Sequence, residues 1–416
     1  MPVRDLTTAD AAAYRRLSAL AFGGTAGEDP GRPFASGIIP LGIDSASLPG
    51  GAEGVLAAGA QIREDRVTLA GGTVACGGIG GVAVHPAHRA GGLFRELMTA
   101  VLARCTQEGM AFSMLYPANV AIYRALGYQV VTEVGFLRVP LLDLQRLRPV
   151  PGRRTVPVTA GSFDRVRALY RELTAGDNGM LTREGPLFGT ELPAEPWHAV
   201  LLEDEAGTAH GYVSFTRTGG EDGVGLEVHE LLGRSREDRR ALLRSLGSWS
   251  TVTETLRLRL RAEDPVLEAL PGGRARHDPQ VMPLVMVRVT DTAAALAARP
   301  APAGLQGALR LEVDDAALPA GTTAAAGAWR VEIADGAVRA VPLPVHEGGK
   351  ADDATDVAQG LPAVHLDVHA ASLLLIGGRS LADAERLGLG VQADPAARTL
   401  LDALLAGPRP AVMDQF

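Results

Sequence analysis

The chain of 416 residues is too long for one ordinary domain, and with 46% apolar and 21% charged residues it does not read as disordered. A net charge of −8 argues against a nucleic-acid coat, which needs phosphate-neutralising basic surface. The two cysteines, Cys76 and Cys105, form no disulfide framework and no apolar run reaches membrane-span length, so a cytoplasmic protein without nucleic-acid or membrane partners is expected.

Residues 1 to about 140 read as alternating helix and strand. "DAAAYRRLSALAF" has helical apolar spacing behind Thr8, while "EGVLAAGAQIRE" and "RVTLAGGTVACGGIGGVAV" read as strands. "GLFRELMTAVLARCTQEG" is an amphipathic helix ending at Gly109. "MAFSMLYPA" follows as a buried strand, "NVAIYRALG" as a short helix stopped by Gly127, and "YQVVTEVGFLRVPL" as one more strand. Glu28 and Asp29, in "GGTAGEDPGRP", are read as loop residues, with a place at a substrate mouth as the alternative.

"RPVPGRRTVP" breaks the pattern, after which "FDRVRALYREL" restarts a helix and "HAVLLEDEAGTAHGYVSFTRT" reads as a hairpin. "LEVHELLGRSREDRRALLRSLGSW" then runs strand, loop, helix. It echoes "VAVHPAHRAGGLFRELM", with His229 opposite His85, and suggests an internal duplication. A second break, "AALAARPAPAGLQG", precedes a segment with a hairpin turning at Asp335-Gly336, then a strand, helices and Pro408 and Pro410. Three α/β segments result: 1–145, 146–295 and 296–416.

The chemistry concentrates in Val82 to Met98, an apolar strand, an Arg/Gly loop and a helix starting near Gly92. Unsatisfied N–H groups at a helix start, at the positive end of its dipole, bind an anion. Gly91 and Gly92 allow a pyrophosphate close approach, and Arg89 can add a charge-assisted bond. His85 and His88 have H-x-x-H spacing without a third ligand, so no metal is expected; His365 and His369 are read as ordinary residues.

"V-x-V-x-P-x-x-R-x-x-G-L" followed by "IY-x-x-LGY" resembles the acetyl-CoA site of the GNAT N-acetyltransferases. The three-segment layout resembles their Eis (enhanced intracellular survival) branch, and "HLDVHAASLLLIGGRSLADAERLG" is similar to the sterol carrier proteins. The resemblance implies an α/β (α+β) fold of tandem GNAT-like domains followed by a sterol-carrier-protein-like domain. It implies that Val82, Ala83 and Val84 pair with the pantetheine arm as an added strand, and that Arg89, Ala90, Gly91, Gly92 and Leu93 wrap the pyrophosphate. Tyr123 would be the general acid and the terminal carboxylate of Phe416 the general base, in direct acetyl transfer within one ternary complex. Aminoglycosides, polyamine-like molecules or lysine-bearing peptides are the implied acceptors, and a homo-oligomer, a hexamer, the implied assembly.

Three departures bear on that picture, one being Phe94 where many GNATs have a small residue. The loop carries only Arg89 where relatives have more arginines, and "GRSREDRR" lacks both glycines, so the second copy is read as a scaffold without cofactor. Tyr128 and the cysteines are assigned to packing, and Asp414 is weighed as a second acidic group for a cationic substrate. The alternative to an enzyme is a lipid- or partner-binding protein built on the third segment. The ending "AVMDQF" carries the most testable expectation, that Val412 and Met413 anchor the tail while Phe416 wedges its ring and holds its carboxylate in the cleft.

Overall fold

The computed structural model describes residues 3–27, 29, 31–220, 223–278, 283–344 and 360–416. A long hairpin centres the first sheet: Leu56–Leu69 and Gly72–Val84 pair antiparallel around a turn at Ala70 and Gly71, both at positive φ. "RVTLAGGTVACGGIGGVAV" is therefore the end of one strand, a turn and a second strand. Outward from Leu56–Leu69 lie Ile38–Asp44 and Arg4–Asp5; outward from Gly72–Val84 lie Phe112–Leu115, Leu284–Val289 and Gln129–Glu133.

Leu284–Val289 comes from the far end of the second segment and threads between two strands of the first, antiparallel to both. The exchange is mutual. "YQVVTEVGFLRVPL" is two strands, Gln129–Glu133 in the first sheet and Gly135–Pro140 in the second, where the latter pairs with Thr255–Leu260. The second sheet runs Arg276–His277, Gly135–Pro140, Thr255–Leu260, Val224–Gly233, Ala209–Arg217, Trp197–Glu203, Arg154–Pro157. Backbone hydrogen bonds thus cross between the first two segments in both directions.

The third segment has its own sheet, in the order Ala337–Pro342, Gly327–Ala334, Gly307–Asp314, Ala363–Asp367, Val391–Ala393. Its apolar helix Val368–Leu375 packs on Leu284–Val289, and one buried core runs from Val67 and Phe112 through Val285 to Leu311 and Leu374. Arg288, fully buried, donates to the carbonyls of Leu126 (2.9 Å) and Val289 (2.6 Å) and pairs with Asp315. Gly127 makes room for it: at φ +88°, an added Cβ would lie 2.6 Å from the Arg288 Nε. The stretch read as the second break contains a short helix, Thr292–Ala297, because the Asp291 side chain accepts from the Ala294 N–H (2.9 Å) and caps it.

Candidate active site

The helix Leu93–Gln107 buries Leu93, Leu97, Val101 and Cys105 on one stripe, and this docks it on the first sheet with its N-terminus at the end of Gly72–Val84. Gly92 occupies its N-cap at φ +84°, and no side chain caps the first turn. The leading N–H groups are therefore left to an external acceptor. Ala90 is also at positive φ, and an added Cβ on Gly91 would meet only the His88 carbonyl, at 3.7 Å. This cradle fits a pyrophosphate. The Arg89 Nε donates to the Val84 carbonyl (3.2 Å), so its guanidinium is tethered beside the loop.

Gly72–Val84 pairs with Phe112–Leu115 only from Cys76 to Gly78. Beyond Gly78 the two parallel strands part, and the rest of Gly72–Val84 has an open edge. Its pairing with Leu56–Leu69 slips between Gly59 and Gln61, which leaves a bulge at Gly81 and Val82. Gly81 is at φ +59°, and the Tyr14 hydroxyl donates to its carbonyl (2.9 Å). The His85 N–H donates to Ala57 on the closed side (2.8 Å), so by ladder alternation Val82 and Val84 present their backbone groups to the open edge. Ala83 alternates with them and faces the other way.

Tyr123 sits on the short helix Val120–Arg124, in the same buried cluster as Ile79. Its ring makes edge contacts with Phe94 (5.3 Å) and Tyr128 (5.8 Å). Among the described residues its hydroxyl has no hydrogen-bond partner, and burial pushes its pKa up to about 12. Tyr128 is spent structurally, with its hydroxyl 2.6 Å from the Ser113 Oγ. Cys76 and Cys105 are free and buried, with thiol pKa values raised by desolvation.

Phe416 lies against the opposite face of the same strand. A Cβ on Gly78 would fall 2.4 Å from its ring, and one on Gly80 would fall 3.0 Å from its carboxyl carbon. The C-terminal carboxylate thus rests on Gly80, one residue from the bulge. Ala411, Val412 and Met413 are buried, and the tail is tied to the first two segments. Asn178 donates to the Pro408 carbonyl (2.7 Å) and accepts from the Ala411 N–H (2.8 Å); Arg63 donates to Gln415 O (2.8 Å) and Tyr116 to Asp414 O (2.7 Å). Tyr116 also packs on the Phe416 ring (5.6 Å).

A cavity of about 980 Å³ opens beside the tail, lined by Tyr116, Met413, Asp414, Gln415 and the exposed face of the second sheet. Of its lining residues the sequence marked Met413 as an anchor of the tail and Asp414 as an acidic group for substrate. Asp414 is an anchor: Arg183, stacked on Tyr170 at 4.0 Å, pairs with both Asp414 (3.0 Å) and Glu230, and Tyr212 donates to Glu230 (2.5 Å). Burial raises the Asp414 pKa against the pull of Arg183. Glu28 lies outside the described residues, and Asp29 does not line this cavity.

The second copy keeps the architecture without the cradle. Val224–Gly233 has its own bulge at His229, which aligns with Gly81–Val82, so His229 and His85 are not equivalent. Its strand passes directly into Arg236–Leu246, whose N-terminus is filled by Ser235 and Asp238 in a capping box. The Asp238 carboxylate, 2.7 Å from the Arg153 Nε, stands where the first copy leaves an anion site open. Among the described residues no cluster of three His, Cys, Asp or Glu side chains suited to a metal is found, and no helix is long and apolar enough to cross a membrane.

Comparison with known proteins agrees with this division. Residues 2–131 and, separately, 164–289 match the acetyltransferase (GNAT) domain, and residues 292–413 match the sterol carrier protein domain. A protein of Streptomyces griseus described as an uncharacterized N-acetyltransferase is 28% identical over 379 residues, 85% of each chain. Among solved structures, a GCN5-related N-acetyltransferase from Kribbella flavida is 25% identical with a TM-score of 0.77, covering 100% of this chain and 98% of its own. Eis1 from Mycobacterium abscessus, 22% identical over 100% of both chains with a TM-score of 0.73, shares the fold.

Proposed function

The chain is a GNAT-type N-acetyltransferase made of two GNAT domains and a sterol carrier protein domain, and from that premise we propose that it is of the Eis type and acetylates an amine directly, in one ternary complex. Acetyl-CoA supplies the activated acetyl group. The open Gly92 N-cap with Ala90, Gly91 and Leu93 would hold its pyrophosphate, with Arg89 beside it, and the free edge at Val82 and Val84 would pair with its pantetheine arm. The N–H groups freed by the bulge at Gly81 and Val82 would polarise the carbonyl as charge develops on its oxygen.

The reading is carried by the placement of Phe416 and Tyr123 on opposite faces of one strand, where it parts from its neighbour. An amine entering from the cavity would meet the Phe416 carboxylate, which accepts its proton directly or through water; an unperturbed amine, with a pKa of about 8–10, needs such a base at neutral pH. Tyr123 would donate a hydrogen bond to the departing sulfur. With a pKa of about 12 against about 8.5 for a thiol, it keeps most of its proton while stabilising the thiolate.

The acceptors are amines, polyamine-like molecules and aminoglycosides included. Glu184, Glu191 and Glu227 line the cavity and are in no ion pair among the described residues, so they can receive ammonium groups. The lipid- or partner-binding alternative leaves both the open cradle and the seated carboxylate without a role. Purified protein should release CoA thiol from acetyl-CoA only when an acceptor amine is present; release at the no-amine baseline across a broad amine panel would refute the reading. Assembly as a homo-oligomer, a hexamer, is part of the same proposal and is read by light scattering after size-exclusion chromatography.

A further inference from the structure

The floor of the cavity is the exposed face of the second sheet. Along Thr255–Leu260 the residues Leu256, Leu258 and Leu260 enter the core, so Arg257 and Arg259 point the other way, into the cavity. Arg257 lies 3.7 Å from Asp278. No carboxylate lies within ion-pairing distance of Arg259 among the described residues, and its buried Nε has no hydrogen-bond partner. Of the acids around it, Glu230 and Asp414 are paired directly with Arg183, and Glu227 stands on the neighbouring strand. The Arg259 guanidinium, half-buried on the cavity floor and in no direct ion pair among the described residues, has donors to offer a ligand anion.

Tyr116 gives the spacing. Its hydroxyl lies beside Arg259 and its ring packs on Phe416. An anion on Arg259 and an amine at the terminal carboxylate would therefore be about one tyrosine side chain apart. Phe136, Phe163, Leu187, Trp197 and Met413 give the cavity apolar surface among its charged residues. We propose that the preferred acceptor is an amine that also carries a carboxylate a few bonds away on an apolar body, the carboxylate being received by Arg259. This rests on the acetyl-transfer reading and narrows its acceptor.

Matched pairs test it: tryptophan against tryptamine, phenylalanine against phenethylamine, and β- and γ-amino acids against the corresponding simple amines, with spermidine and an aminoglycoside as polycationic members. The carboxylated member should have the higher kcat/KM, by about tenfold to a hundredfold, the range of a charge-assisted hydrogen bond. In Arg259→Gln that ratio should fall toward one through KM, with acetyl-CoA affinity and thermal unfolding as checks on the fold, and Arg259→Glu should invert it in favour of the polyamines. Equal or better turnover of the simple amines or polycations by the wild type would overturn the proposal, as would a ratio unchanged in Arg259→Gln. No acetylation of any member would instead remove the acetyl-transfer reading itself.

Discussion

A methyl group on Gly78 would fall 2.4 Å from the Phe416 ring, and one on Gly80 would fall 3.0 Å from its carboxyl carbon, so these two glycines are spaces kept for the chain's own end. Gly78→Ala should displace the tail, lowering kcat by at least about tenfold at a stability loss of about 1–3 kcal/mol from overpacking, with acetyl-CoA binding retained. Isothermal titration beside steady-state kinetics separates the two effects. Tyr123→Phe should lower kcat by about a hundredfold while leaving acetyl-CoA affinity intact, within the range of positioned proton donors. Burial raises the pKa of an acid, so Tyr123 stays protonated up to about pH 12, and a pH–rate profile should show no loss of activity below about pH 10 that belongs to it. An alkaline limb below pH 10 that vanishes in Tyr123→Phe would contradict this.

At the scale of elements, the strand–loop–helix units of the two GNAT domains have opposite fates. Six residues more in the first connection, with a glycine at the N-cap and no side-chain cap, leave helix N–H groups available, while Ser235 and Asp238 consume them in the second. One acetyl-CoA should therefore bind per chain, and a titration returning two would refute the scaffold reading of the second copy. The loop was legible in the sequence because glycine spacing and a following amphipathic helix are local signals. The bulges were not, because they depend on the register against a neighbouring strand. Nor was the division of "YQVVTEVGFLRVPL" between two sheets, since an apolar strand reads the same whichever sheet receives it.

Across the whole molecule, the exchange of Gly135–Pro140 for Leu284–Val289 binds the first two segments, and Arg288 and the shared core bind the third to them. That assembly carries the tail from the last helix, through Asn178, Arg63, Tyr116 and Arg183, to Gly80. Residues appended after Phe416 would move the free carboxylate away and have no room on Gly78 and Gly80. A C-terminally tagged protein should lose activity by about a hundredfold or more, with its melting temperature within a few degrees of the untagged chain. Full activity in the tagged protein would return the tail to a purely structural role.

Local signals sufficed for the amphipathic helix behind Gly92, the strand before it, the helix bearing Tyr123 and the missing glycines of the second connection. An apolar, aromatic-tipped ending also marked itself as tucked in, because such residues are poor material for a solvated end. What these elements meet was settled by packing and strand pairing across the chain. The seat of Phe416 on Gly80, the pairing that removes Asp414 and Glu230 from play, and the cavity with Arg259 on its floor all join residues distant in the chain. Their partners are set by strand exchange and register, which no local pattern of side chains encodes.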